Sequence, residues 1–321
     1  MKRVLITGGT GFVGANLARR MLVDGHEVHI LVREKHKTWR IKEIRDDLRI
    51  HCADLEDDSL LATVVAGVRP DWVFHLAAHG AYSWQTDASS MVKTNIAGTM
   101  NLLQTCLKTG FEAFVNTGSS SEYGFKDHAP SEEEYLEPNS NYAVTKASQT
   151  LWCDYMARNQ GARLVTLRLY SVYGPYEEPG RLMPALICHG LHGKLPPLAN
   201  PGVARDYIYV DDAVEAYVQA AARLDRKRGS VYNVGTGIQT CLREVVDVAR
   251  RVLEVRAEPD WKSMPGRSWD TELWVSEIGK IQEDLDWTPQ YSFERGFRSM
   301  VVWFRENTAV RDVYRKSYEP S

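Results

Sequence analysis

The sequence is poor in the features that mark extracellular, membrane or nucleic-acid-binding chains. Its five cysteines, Cys52, Cys106, Cys153, Cys188 and Cys241, are odd in number and scattered, with no C-x-x-C pair. That pattern excludes a disulfide framework and predicts a reducing, cytoplasmic setting. There is no basic excess either: 39 Lys and Arg against 42 Asp and Glu leave a formal net charge of -3. A nucleic acid or an anionic membrane would find no electrostatic footprint, so a small molecule is the expected partner. No apolar run reaches membrane-spanning length, and glycines interrupt the opening "MKRVLITGG" too early for a secretory segment. Internal repeats are absent. His189 and His192 have no third ligand near them in sequence, so no metal is expected. Cys106 and Cys153 fall on predicted helices and are expected to be buried small hydrophobes. The single charge run, Glu132-Glu133-Glu134, is expected to be a solvated loop face.

What the chain does have is 321 residues, 44% of them apolar, enough for one large domain or two unequal ones. Short apolar runs ("RVLIT", "EVHILV", "LRIHCAD", "DWVFHLAA", "EAFVNTG") alternate with helical patterns, including candidates near 89–109 and 141–159. Continuous apolar strands separated by helices predict a Rossmann-type, doubly wound parallel α/β sheet covered on both faces. The run "RLVTLRLYSVYG" is expected to be one further strand. Proline and glycine become frequent after Gly174-Pro175, which marks a domain boundary. The predicted division is a larger sheet domain over 1–175, with the sheet re-entered by about 203–235. A smaller, discontinuous substrate domain would take 176–202 and 236–321, with helices around 242–254, 277–285 and 293–306.

"VLITGGTGFVG" sets Gly8, Gly11 and Gly14 between the first strand and the first helix. Glycine permits a tight turn and close approach to a pyrophosphate, while the helix N-terminus offers free N–H groups. Thr10, Phe12 and Val13 complete the cradle. The G-x-x-G-x-x-G spacing resembles the extended branch of the short-chain dehydrogenase/reductase family, whose members modify nucleotide sugars. Most NAD-using members carry an acid at the end of the second strand to hold the adenosine ribose. Here Val32 stands there, followed by Arg33, which suits a 2'-phosphate, so NADP(H) is favoured with NAD(H) the alternative. By the same resemblance Asp54 and Leu55 meet the adenine edge, and Leu76, Ala77 and Ala78 of "HLAA" lie along the cofactor.

"YAVTK" places Tyr142 and Lys146 four apart on one helix face. An ammonium beside a phenol is expected to bring its pKa down from about 10 toward the working range. In the resembling family the catalytic Ser or Thr stands four residues before a Y-G pair. Counting back from Tyr123 in "GSSSEYG" gives Ser119, with Ser120 the alternative if the register slips by one. This makes a Ser119, Tyr142, Lys146 triad, and Tyr142 and Lys146 also meet the cofactor. Family members that dehydrate their sugar place acids immediately after that Ser or Thr. Here the positions are Ser120 and Ser121, and Glu122 comes one step late, so dehydration is disfavoured unless a bulge turns Glu122 inward.

The resemblance spans essentially the whole chain. "ARDYIYVDD" supplies Arg205 and Asp206, and "MPGRSWD" supplies Arg267, two arginines expected to contact a nucleotide diphosphate. Ser171 stands where many members carry an asparagine that contacts the diphosphate. Ser120, Ser121 and His79 are expected on the sugar side, with Tyr82 shaping the pocket. The expected substrate is a nucleotide-diphosphate sugar, and the expected reaction is reduction of its keto group, commonly at C4. An epimerase that retains NAD is the alternative. A non-catalytic dinucleotide sensor is disfavoured, because such proteins typically lack the Tyr and Lys. Relatives imply a homodimer joined through helices near 89–109 and 141–159.

Overall fold

The computed structural model describes residues 1–223, 229–266, 270–316 and 318. Strand β1 (Arg3–Thr7) leads into α1 (Phe12–Val23), β2 (Glu27–Val32), β3 (Arg49–Cys52), α2 (Asp58–Val68) and β4 (Trp72–His75). Helix α3 (Ala88–Met91) continues through a π-helical turn (Val92–Ala97) into α4 (Gly98–Thr109). Strand β5 (Ala113–Ser119) is followed by a 3-10 turn (Ser120–Tyr123) and α5 (Asn141–Gln160). Then come β6 (Leu164–Leu169), β7 (Ser171–Tyr173), α6 (Leu182–Gly190), β8 (Ala204–Tyr209) and α7 (Val210–Ala222). Strands β9 (Val231–Val234) and β10 (Gln239–Cys241) precede α8 (Leu242–Leu253), α9 (Gly279–Leu285), α10 (Phe293–Glu306) and α11 (Thr308–Arg315).

Seven strands form one parallel sheet in the order β3-β2-β1-β4-β5-β6-β9. Its central strands, β1, β4, β5 and β6, are buried on both faces, which is why they read as apolar runs rather than alternating ones. Helices α1 and α7 cover one face through Leu17, Met21, Val214 and Tyr217. On the other face α2, α4 and α5 contribute Leu61, Leu102, Leu103 and Met156. Each such side chain stabilises the fold by about 1.5–3 kcal/mol. Strand order reverses between β1 and β4, so the loops leaving these two strands diverge and open a crevice at the sheet's C-terminal edge.

Three elements depart from the sequence expectation. "RLVTLRLYSVYG" is two strands, because the chain kinks at Tyr170, whose N–H donates to Val234 O at 3.0 Å while its carbonyl accepts from Val172 N at 2.9 Å. The segment "RDYIYV" does not return to the main sheet: β8 pairs with β7 and β10 in a separate three-stranded sheet, and only β9 rejoins the large one beside β6. Glu132 is buried rather than solvated, since its carboxylate accepts from Asn233 N at 2.7 Å. A third apolar cluster gathers Tyr173, Leu186, Val246, Phe297, Phe304 and Tyr314 from β7, α6, α8, α10 and α11.

Candidate active site

The glycine turn after β1 is packed too closely to admit any side chain. Gly8 has φ +71, and a Cβ there would lie 2.6 Å from the Leu76 carbonyl carbon. One on Gly14 would lie 2.3 Å from Gly8 O. Gly11 caps α1 with no side-chain hydrogen bond to the helix start, leaving its first N–H groups without a side-chain partner. This cradle fits a dinucleotide: bare backbone and a helix N-terminus at the point where strand order reverses. Thr10, Phe12 and Val13 lie partly buried in the same turn. Leu76 and Ala77 run across it from β4, Ala77 N donating to Thr7 Oγ1 at 3.2 Å, with Ala78 exposed beyond. Arg33 is exposed immediately after β2. Asp54 is exposed after β3, its carboxylate accepting from Glu56 N at 3.1 Å, and Leu55 is buried against Gly98.

Helix α5 begins at an N-cap, Ser140, whose hydroxyl accepts from Ala143 N at 3.1 Å. That start sets Tyr142 in its first turn and Lys146 one turn later, against β5. Ser119 ends β5 and interacts with the Tyr142 hydroxyl. Lys146 is buried, donating to Thr117 O at 2.5 Å and to Gln149 Oε1. Burial pushes its pKa down to about 8, against the opposing pull of Glu122 and Cys153. The expectation that Lys146 lowers the Tyr142 pKa is not met here. Burial pushes the phenol up to about 12, Ser119 and Arg181 offset this only in part, and the ammonium is turned toward β5 and Gln149.

Glu122 does not turn into the crevice. It is fully buried, with Arg168 Nε at 2.8 Å from Oε2, while Oε1 accepts from Ser119 N at 2.7 Å and Thr150 Oγ1 at 3.0 Å. Arg168 is engaged further by Tyr123 OH at 2.8 Å and Glu132 O at 3.3 Å. The pair therefore braces the turn that presents Ser119. Ser120 accepts from Trp274 Nε1 at 3.2 Å, and Ser121 N donates to Ser119 Oγ at 3.2 Å.

The other predicted positions fall around this centre. His79 is held through its backbone by Asn95, which accepts from His79 N and donates to His79 O, each at 2.8 Å. Asn95 also donates to Thr145 Oγ1 at 2.9 Å, so one side chain of the π-helical turn ties the 79–85 loop to the base of α5. Arg205 on β8 reaches Asp270 at 3.6 Å and lies over the Trp274 ring at 5.4 Å. Ser171 starts β7 opposite Tyr207. Asp206 is structural: its carboxylate accepts from the backbone of Thr236, Gly237 and Ser276 and from two of their hydroxyls. Arg267 lies outside the described residues. Sequence reasoning missed Arg181, Tyr207, Trp274 and Asn95. Arg181 offsets in part the upward push of burial on both the Tyr142 and the Tyr207 phenol, and Arg205 does so on Tyr207. None of the four carries a local signal, because their meaning comes from contacts distant in sequence.

Among the described residues no helix is long and apolar enough to cross a membrane, and no three His, Cys, Asp or Glu side chains gather as a metal set. A dTDP-glucose 4,6-dehydratase of Neisseria meningitidis serogroup B is 28% identical, over 99% of this chain and 98% of its own. A UDP-glucose 4-epimerase of Thermotoga maritima, solved with UDP-glucose, is 26% identical with a TM-score of 0.86, over 95% of this chain and 99% of its own. A double mutant of a dTDP-glucose 4,6-dehydratase of Streptomyces venezuelae, solved with NAD bound, is 28% identical with a TM-score of 0.85, over 97% and 99%. The model of the NAD dependent epimerase/dehydratase family matches residues 4–235, the span that holds the glycine cradle, Ser119, Tyr142 and Lys146, and the chain belongs to that family.

Proposed function

We propose that this chain is a nicotinamide-dependent oxidoreductase of nucleotide-diphosphate sugars that reduces the keto group at C4 of a nucleotide-linked deoxyhexose. The observation that carries this reading is the engagement of Glu122 by Arg168 beside two neutral serines. Elimination of water next to a ketone needs an acid and a base on the sugar. With Ser120 and Ser121 in those places and Glu122 held away, hydride transfer without elimination remains. Ser119 and Tyr142 would hold the sugar oxygen, Tyr142 giving up its proton as the carbon is reduced. Lys146 would complete the triad one helical turn along, its buried ammonium held by the Thr117 carbonyl and Gln149. Bound NAD(P)H supplies the hydride. Residues Gly8 to Gly14, Asp54, Leu55 and Leu76 to Ala78 would hold it, with Arg33 favouring a phosphorylated ribose. Arg205, Arg267, Ser171 and His79 would meet the nucleotide sugar, Arg267 coming from the smaller part formed by 176–202 and 236–321.

Epimerisation with a retained NAD is the second reading. It uses the same three residues and is favoured by the likeness to a UDP-glucose 4-epimerase and to a structure holding NAD. The two differ in whether the cofactor turns over. Denaturing protein purified without added cofactor, then identifying any dinucleotide released, decides between them. Stoichiometric NAD sinks the reductase reading. An empty site that binds NADPH well ahead of NADH supports it.

A further inference from the structure

A line of buried polar groups runs beneath the catalytic helix from the glycine turn to Lys146. Thr7 on β1, His75 on β4, Thr99 on α4, Asn116 on β5 and Gln149 on α5 are all buried. Thr7 Oγ1 lies 2.6 Å from His75 Nδ1, and His75 Nε2 lies 2.8 Å from Thr99 Oγ1. Gln149 Nε2 reaches Thr99 Oγ1 at 2.9 Å and Asn116 Oδ1 at 2.7 Å.

Only one assignment of donors satisfies every member. The Thr99 hydroxyl has a single hydrogen, and it goes to the Asn95 carbonyl at 2.7 Å, which can only accept. Thr99 Oγ1 must therefore accept from both His75 and Gln149. His75 then carries its proton on Nε2 and accepts from the Thr7 hydroxyl at Nδ1, while Thr7 Oγ1 accepts from Ala77 N. Asn116 donates its amide to Thr166 Oγ1 at 3.1 Å, so its oxygen faces Gln149. Both Gln149 N–H groups are consumed, and its oxygen can only face Lys146.

We infer that Gln149 is a positioning residue for Lys146, an amide locked in one orientation by Thr99, His75 and Asn116. It presents a neutral acceptor that holds the ammonium against the Thr117 carbonyl. A carboxylate at 149 would grip the ammonium harder but cancel its charge; an apolar side chain would leave it underheld in a dry site. Glutamine anchors the charge and keeps it. The groups that act on Lys146 are Glu122 from the turn after β5 and Cys153 on α5, and Lys146 in turn acts on His75 from β4. Burial, helped by Lys146, pushes His75 down to about 3, consistent with its neutral form in this assignment.

The inference rests on Tyr142 and Lys146 being the catalytic pair, but its test needs neither substrate nor cofactor. The full chain is labelled with 15N-lysine, and the Lys146 ammonium signal is assigned by its loss in Lys146→Arg. Its midpoint is expected near 8 in the unsubstituted protein. In Gln149→Glu the midpoint should rise by about one pH unit or more, and in Gln149→Leu fall by about one. Long-range imidazole spectra should show His75 as the neutral Nε2–H form down to pH 5. An unmoved Lys146 midpoint in folded Gln149→Leu protein overturns the inference, as does the Nδ1–H form of His75 in the unsubstituted chain. Should Gln149→Leu fail to fold, the near-isosteric Gln149→Glu and the His75 tautomer still decide it. Failure to turn over any nucleotide sugar would overturn the functional reading and leave these titrations standing.

Discussion

Glu122 shows how surroundings decide what a carboxylate can do. One residue from the position a sugar-dehydrating acid would take, it is instead a brace, with no exposed surface and three donors on its two oxygens. Removing one member of a buried pair strands the other charge, so Glu122→Gln should cost about 3–5 kcal/mol. Urea unfolding measures this, and an unchanged midpoint would return Glu122 to the list of reactive acids. Tyr142→Phe should do the reverse, lowering turnover by about 100-fold or more with little change in the unfolding midpoint and in dinucleotide binding. Lys146 gives a pH test with a definite sign. Its folded-state pKa, about 8, lies below the unfolded value of about 10.4, so between them the unfolded chain binds more protons. Its contribution to stability therefore improves as pH rises through that window and is least favourable below about 8. The stability of the unsubstituted protein relative to Lys146→Met should accordingly grow between pH 7 and 10, and a flat difference would mean that Lys146 is not held charged in a dry site.

Elements were legible wherever their cause was local. The glycine turn follows from spacing, and α5 from the helical pattern over 141–159. The split between β6 and β7 was not legible, because the kink at Tyr170 is fixed by β9, about sixty residues on. Nor could Glu122 be matched to Arg168, or Asn95 to His79: a polar residue in a strand or helix does not announce its distant partner. The sequence also marked Asp206 only as part of a motif beside Arg205, whereas the structure makes it the tie between β8, the turn after β9 and the segment at Ser276. Every donor around it meets a carboxylate oxygen, so Asp206→Asn would set an NH2 group against N–H and O–H donors. A loss of about 3 kcal/mol is expected from chemical unfolding, with weakened nucleotide binding, because Arg205 is carried on the same strand.

The molecule as a whole leaves one helix with more apolar surface than its core uses. Helix α5 buries Ala143, Ala147, Cys153 and Met156 on the sheet, yet its outer face keeps Val144 48%, Leu151 59% and Tyr155 48% exposed. These positions are seven and four apart and fall on one stripe, and Val92 in the π-helical turn that packs on α5 is also exposed. A helix apolar on both faces is unusual at a surface, and an apolar stripe of this kind predicts a contact with another chain. A second copy offering the same stripe across a two-fold axis would cover it, with total burial of about 1,200–2,000 Å². Sedimentation velocity at micromolar concentration should then show a dimer, and Leu151→Glu, which places a charge at the centre of the stripe, should show a folded monomer. Because Tyr142 and Lys146 lie on the inner side of the same helix, the monomer should also lose turnover without losing dinucleotide. A monomeric unsubstituted protein would instead mean that the stripe meets some other partner.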